Sequence, residues 1–315
     1  MACAARTPLG PQPGIVKGYD LLTIANRHWF SRRDKMDKKN YVEGKSIIVT
    51  GAAGGFGKLV SAKAAALGAK VTCADIDEAA LEKSVADIRA AGGTAQAVPA
   101  DVTSIEQMNA LARAATSTYG RVDVMLNNAG VMPLALYADH QAALEKWNRC
   151  IDINFKGVLN GIVCVFDQMM AQGEGHVINV SSIYGNFPTY GAAVYGATKS
   201  AVNFLSESLR VEARGKIKVT IVKPTGVPGT GLGAGVVNPA AVIGIVGQNA
   251  GEYVELIGQY RDGALDASNV DPEQMNYVVL DPEFIADQII HAINQPKGVS
   301  IGDITVRASG DHYIL

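Results

Sequence analysis

Short apolar runs alternate with longer stretches of helical periodicity along most of this chain. Ser46–Thr50, Lys70–Ala74, Ala95–Ala100, Val122–Leu126, His176–Val180, Val219–Val222 and Ser300–Val306 are brief and mostly apolar, and several end at glycine, aspartate or serine. Continuous apolar runs of this length read as strands buried on both faces, as in parallel sheets. Between them, Leu59–Leu67, Glu78–Ala91, Ile105–Tyr119, Ala142–Met170, Tyr195–Arg214 and Pro282–Asn294 carry the pattern of amphipathic or buried helices. The alternation predicts an α/β chain with a doubly wound parallel sheet of about seven strands, right-handed crossovers and helices on both faces. Ligands of such sheets lie beyond the C-terminal ends of the strands.

The first predicted strand runs into Gly51-Ala52-Ala53-Gly54-Gly55-Phe56-Gly57 and then a helix. Strand, glycine turn and helix in this order set backbone N–H groups and a helix N-terminus against a pyrophosphate, the arrangement of a Rossmann-like fold. A side chain at Gly51, Gly55 or Gly57 would block the approach of phosphate to backbone or of helix to strand. The second strand ends at Asp75, followed by Ile76, where a carboxylate accepts hydrogen bonds from an adenosine ribose diol. A phosphate-loop NTPase fails on register: Ala52 stands where a glycine is required, and Leu59 replaces the magnesium-binding hydroxyl. Further on, Tyr195 and Lys199 are four apart and project from one face if helical, and Ser182 ends an apolar run upstream. A tyrosine near its reference pKa of about 10 is a poor acid-base catalyst, and a neighbouring cation is expected to lower it.

Together these residues resemble the short-chain dehydrogenase/reductase family over about Lys45 to Arg307. Thr50-Gly51 through Gly55 and Gly57 match its cofactor fingerprint, Asp101-Val102 the acid that touches the adenine, and Asn127-Asn128-Ala129-Gly130 the signature closing the fourth strand. Asn154, Ser182, Tyr195 and Lys199 match its catalytic positions. The paired Gly54 and Gly55 also fit the spacing of the extended branch of epimerases and dehydratases; the Asn-Asn-Ala-Gly signature and the chain length favour the shorter, single-domain branch. The resemblance implies hydride transfer between a secondary alcohol or ketone and a nicotinamide, with Tyr195 as general acid/base, Lys199 on the nicotinamide ribose and Ser182 steadying the substrate oxygen. Asn154, a poor helix former in a helix interior, is placed either to kink the helix or to hold a water in a proton relay, and the resemblance favours the relay. It places Pro224, Thr225 and Val227 beside the cofactor. Asp75 repels a 2′-phosphate, so NAD is expected over NADP. The alternatives are an extended-branch nucleotide-sugar epimerase or dehydratase and a non-catalytic dinucleotide-sensing protein.

Composition narrows the partners. Of 315 residues, 48% are hydrophobic and 18% charged, with a net charge of −2, so no basic field points to nucleic acid or an anionic membrane. No run approaches a membrane span. The scattered Cys3, Cys73, Cys150 and Cys164 and the five histidines lack metal spacing, and no metal is expected. A cytoplasmic protein with reduced thiols follows as the default. Residues 1–40 read as an N-terminal extension, either disordered or docked through the apolar Tyr19–Phe30 on the body or a neighbouring subunit. Residues 41–315 read as the dinucleotide-binding and catalytic domain, with about 225–281 forming a substrate lid hinged at Gly229–Gly235. Met132, Leu134, Ile183 and Tyr190 are the candidate substrate contacts, suggesting a hydrophobic secondary alcohol or ketone. The family resemblance also implies a homodimer or homotetramer through the two long helices, with Val158, Ile162, Val165, Phe204 and Leu205 as candidates.

Overall fold

Strands β1 (Ser46–Thr50), β2 (Lys70–Ala74), β3 (Thr94–Ala97), β4 (Val124–Asn127), β5 (Gly175–Val180), β6 (Ile217–Pro224) and β7 (Asp303–Val306) form one sheet in the order β3-β2-β1-β4-β5-β6-β7. All six pairings are parallel. The computed structural model describes residues 39–314. The expectation for residues 1–40 therefore falls almost wholly outside the described residues.

Alternate residues of each strand feed two separate cores. Ile47 and Val49 of β1 pack with α1 (Gly55–Ala66), α2 (Glu78–Ala90) and α8 (Pro282–Ile293), through Val60, Leu81, Val85, Ile285 and Ile289. Ile48 and Met125 point the other way, to α3 (Ile105–Tyr119), α5 (Gly157–Gln172) and α6 (Ala193–Glu212), where Met108, Leu111, Val165 and Val202 are buried. Burial on both faces explains why the strands read as unbroken apolar runs rather than as alternations. Among the described residues no helix is long and apolar enough to cross a membrane.

Several boundaries differ from the sequence expectations. The first helix starts at Gly55, inside the glycine turn, so the glycines form its first turn. Strand β7 is shorter than expected and β6 longer. The single helix expected over 142–170 is two, α4 (His140–Ile151) and α5, joined by a π-helical turn at Asp152–Lys156. The interruption sits at Asn154, whose amide bonds outside its own helix. Val158, Ile162 and Val165 face the sheet, not a partner: all three are buried in this chain's own core. The outward apolar residues of the same helices are Leu159, Val163 and Phe204, the last 76% exposed.

One buried polar group sets a pH dependence. His176 on β5 shares a hydrogen bond of 2.8 Å between Nε2 and Thr220 Oγ1, whose own proton goes to the Ile301 carbonyl at 2.6 Å. The imidazole therefore donates through Nε2 and is neutral, and burial pushes its pKa from 6.5 down to about 3. The unfolded chain takes up this proton near pH 6.5 and the native chain near 3, so the contribution is intact above 6.5 and is lost as the pH falls between the two. The slope attributable to this group is at most about 1.4 kcal/mol per pH unit. Melting temperatures from pH 7 to 5 should fall less for His176→Gln than for wild type; equal falls would place the acid sensitivity elsewhere.

Candidate active site

The C-terminal ends of β1, β2, β4, β5 and β6 open onto one cleft of about 910 Å³. Thr50 and Asn128 set its floor. The Asn128 amide donates to the carbonyls of Thr50 (2.9 Å) and Gly51 (3.2 Å), and the N–H groups of Asn128 and Ala129 donate to Thr50 Oγ1. Gly51 has φ +66°, and a Cβ there would stand 2.8 Å from the Asn128 amide nitrogen. A Cβ on Gly57 would meet the Gly51 carbonyl oxygen at 2.1 Å. These two glycines thus close the turn on itself and hold α1 against β1. Gly54 differs: it lines the cleft, and a Cβ there would meet nothing within 4 Å. A side chain at 54 would fill the space in front of the first-turn N–H groups, which have no partner within the helix.

Asp75 lines the cleft at the end of β2. Its carboxylate accepts from Ala53 N–H (3.0 Å) and Asp77 N–H (3.1 Å), so it buttresses the glycine turn as well as facing the cleft. Ile76 beside it is 61% exposed and is not among the cleft-lining residues. Asp101 and Val102 also stand off the lining: Asp101 binds the backbone and hydroxyl of Thr103, and Val102 packs under Gly157. Phe56, Ala129, Gly130, Pro224, Thr225 and Val227 all line the cleft.

Ser182, Tyr195 and Lys199 converge on the same cleft. The first turn of α6 carries Tyr195, 3% exposed, with its ring edge-to-face on Tyr184 at 5.6 Å. Ser182 lies two residues past the end of β5, where its hydroxyl accepts from the Tyr184 N–H at 3.3 Å and pulls the phenol of Tyr195 toward lower pKa. Lys199 is held by the Val180 carbonyl at 2.8 Å, with Nζ 5.8 Å from the Tyr195 ring centroid. Burial pushes the Tyr195 phenol well above its ordinary value, against the smaller downward pull of Ser182. The expected lowering by Lys199 does not hold for the chain alone. The same burial drives Lys199 down to about 8, weakening it as a permanent cation.

Asn154, fully buried, stands behind the cleft wall at Val131. Its Oδ1 accepts from Val131 N–H and its Nδ2 donates to the Val131 carbonyl, both at 2.9 Å, with Cys150 and Thr198 also in reach. The side chain thereby pins the loop after β4 to the π-helical turn. Of the candidate substrate contacts, Met132, Leu134 and Ile183 line the cleft. Tyr190 does not: its side chain is 64% exposed, because the 186–192 loop turns it outward while its backbone packs on Gly244. Sequence reasoning missed Tyr184 and Tyr313, which line the cleft. Tyr184, two residues past Ser182, was legible as part of the same strand end; Tyr313 sits in no recognisable pattern.

Residues 45–239 match the short chain dehydrogenase family. An uncharacterised oxidoreductase of Listeria innocua is 34% identical over 265 residues, 84% of this chain and 96% of the relative. The chain belongs to the short-chain dehydrogenase/reductase family. Among solved structures, a short chain dehydrogenase/reductase of Burkholderia phymatum in complex with NAD superposes with a TM-score of 0.66 at 27% identity, covering 85% of this chain and 90% of that one. An alcohol dehydrogenase of Thermococcus sibiricus complexed with 5-hydroxy-NADP shares the fold with a TM-score of 0.67 at 18% identity, over 85% of this chain and 97% of the other. The Ser182, Tyr195 and Lys199 cluster thus stands in a family whose relatives are named as oxidoreductases.

Proposed function

We propose that this short-chain dehydrogenase/reductase interconverts a secondary alcohol and a ketone with NAD(H), and that Ser182, Tyr195 and Lys199 carry the proton chemistry. The observation that supports this most is the convergence of those three side chains on one cleft with the glycine turn and Asp75. The dinucleotide would be held by the α1 N-terminus, Gly54, Asp75, Asn128 to Gly130 and the Pro224–Val227 segment. When bound, it supplies or accepts the hydride.

The chain's own residues do the rest. A phenol raised by burial stays protonated at neutral pH, so Tyr195 is poised to donate its proton to a carbonyl oxygen. Ser182 offers a second O–H at the same point. Lys199, near 8, exchanges protons at working pH and can restore the phenol. Asn154 keeps the loop at Val131 in place, which bounds the substrate side. Segments from 225 to 281, with helix α7 (Ala250–Arg261), contribute Leu232, Tyr253, Leu256, Ile257 and Tyr260 to the cleft wall. In this reading they form a lid, and the apolar wall favours a hydrophobic ketone or alcohol. Pairing of two or four copies through the outward faces of α5 and α6, where Leu159, Val163 and Phe204 are exposed, belongs to the same proposal.

Tyr195→Phe removes only the phenolic proton. It should keep the fold and coenzyme affinity while lowering kcat for ketone reduction by at least about a thousandfold; turnover near wild type would remove Tyr195 from the acid-base role. Coenzyme choice follows from the charge at Asp75. A 2′-phosphate beside this carboxylate costs about 2–4 kcal/mol in a partly desolvated cleft, so kcat/KM should favour NADH over NADPH by roughly a hundredfold or more. Asp75→Asn removes the charge and keeps an acceptor for the Ala53 N–H, so fluorescence titration should show NADPH affinity rising and the preference narrowing at least tenfold. Equal affinity of wild type for both coenzymes would show that Asp75 does not meet the ribose.

A further inference from the structure

We propose that Tyr313 is a specificity-determining residue of the substrate end of the cleft, held in place by the segment 307–314; this rests on the ketone and alcohol reading above. The segment leaves β7 and doubles back over the residues that cover the cleft. Arg307 pairs with Asp311 at 2.6 Å and also donates to the Tyr313 carbonyl. Ser309 Oγ donates to Met275 O at 2.7 Å and Gly310 N–H to Tyr277 O at 2.9 Å. On the other side Asn249 donates to His312 O and Ile314 N–H to Ile245 O, both at 3.0 Å. The segment is thus bonded at both ends of the 245–277 cover, which fixes the direction of the one side chain it places on the cleft lining.

That side chain is Tyr313. It lines the cleft and packs in one apolar cluster with Tyr184, Tyr195 and Tyr253. Its ring lies 6.2 Å from that of Tyr253 on α7, inclined at 54°, and burial keeps the Tyr313 phenol neutral. Its hydroxyl occupies the place of a side chain at Gly226: a Cβ there would stand 1.6 Å from the phenolic oxygen. No other residue at 226 admits the ring in this position. Gly226 stands two residues past β6, in the segment assigned to the dinucleotide, so the ring bridges from there to Tyr253 on α7 beside Tyr184 and Tyr195, where coenzyme and substrate would meet. A rigid ring in that place limits the room beyond the carbon on which Tyr195 acts.

The test compares kcat/KM for butan-2-one and 4-phenylbutan-2-one in the purified full chain, with NADH and NADPH. Tyr313→Ala should raise the bulky-to-small ratio at least tenfold, chiefly through KM, and Tyr313→Phe should leave it within about threefold. Gly226→Ala must displace the phenol, so it should shift the ratio in wild type and change it less than twofold in the Tyr313→Ala background. Equal loss on both ketones, an unchanged ratio in Tyr313→Ala, or an undiminished Gly226→Ala effect in that background would overturn the proposal. If wild type consumes neither coenzyme with any ketone, the oxidoreductase reading fails by itself. Thermal stabilisation by the two ketones then decides the role of Tyr313: a gain for the bulky one confined to Tyr313→Ala supports it, and no difference between the proteins overturns it.

Discussion

Hydrogen bonds between Thr50 and Asn128 fix where two neighbouring parallel strands stop, and the cleft is built outward from that point. The Asn128 side chain takes two carbonyls at the end of β1, while Thr50 Oγ1 takes two N–H groups at the end of β4. With β1 and β4 locked, the register to β5 puts Asn127 beside Asn179, whose amide continues to Ser206 on α6. Ser182 and the first turn of α6 are carried to the same edge. A parallel sheet makes this economical, because every strand end delivers its loop to one side. Buried amides are costly unless satisfied, and here the amide N–H groups of Asn127, Asn128 and Asn179 find partners that also set the geometry of the site, while the Asn127 Oδ1 is left without one.

Much of this was legible in the chain. Continuous apolar runs disclosed a sheet buried on both faces, and the glycines of 51–57, Asp75, Ser182, Tyr195 and Lys199 disclosed one end of it as a site. These signals survive in sequence because they are local: a strand, a turn and a helix follow one another within a few residues. A kink at Asn154 was legible from an asparagine in a helix interior, but not its π-helical form, since that goes with a set of bonds to Val131, Cys150 and Thr198. The inward set Val158, Ile162 and Val165 was misassigned to a partner face because apolarity alone does not say which way a helix is rolled. Tyr190 and Tyr313 exchange places for a similar reason. Tyr190 is close in sequence to Ser182 and points away, whereas Tyr313 is distant and is brought in by a segment with no motif of its own.

Burial makes the Tyr195 and Lys199 pair differ from a simple picture of cation beside phenol. A lysine deep in the protein loses part of its charge, and a buried tyrosine holds its proton more tightly, so neither is set by the other alone. Ser182 pulls the phenol the other way, by less than burial raises it. Such an arrangement keeps the phenol protonated at neutral pH. It also carries a stability cost: both side chains would be better solvated in the unfolded chain, an expense common at sites that need perturbed groups.

Isotope transfer tests the central claim most directly. Reduced nicotinamide coenzyme carrying deuterium at both C4 positions is incubated with the protein and a methyl ketone in ordinary water, and the alcohol is examined by mass spectrometry and proton NMR. Hydride transfer assisted by Tyr195 predicts one deuterium on the carbinol carbon for each coenzyme oxidised, with the hydroxyl proton drawn from solvent. Alcohol formed without deuterium at that carbon, or coenzyme left unconsumed across a panel of ketones, would contradict the account.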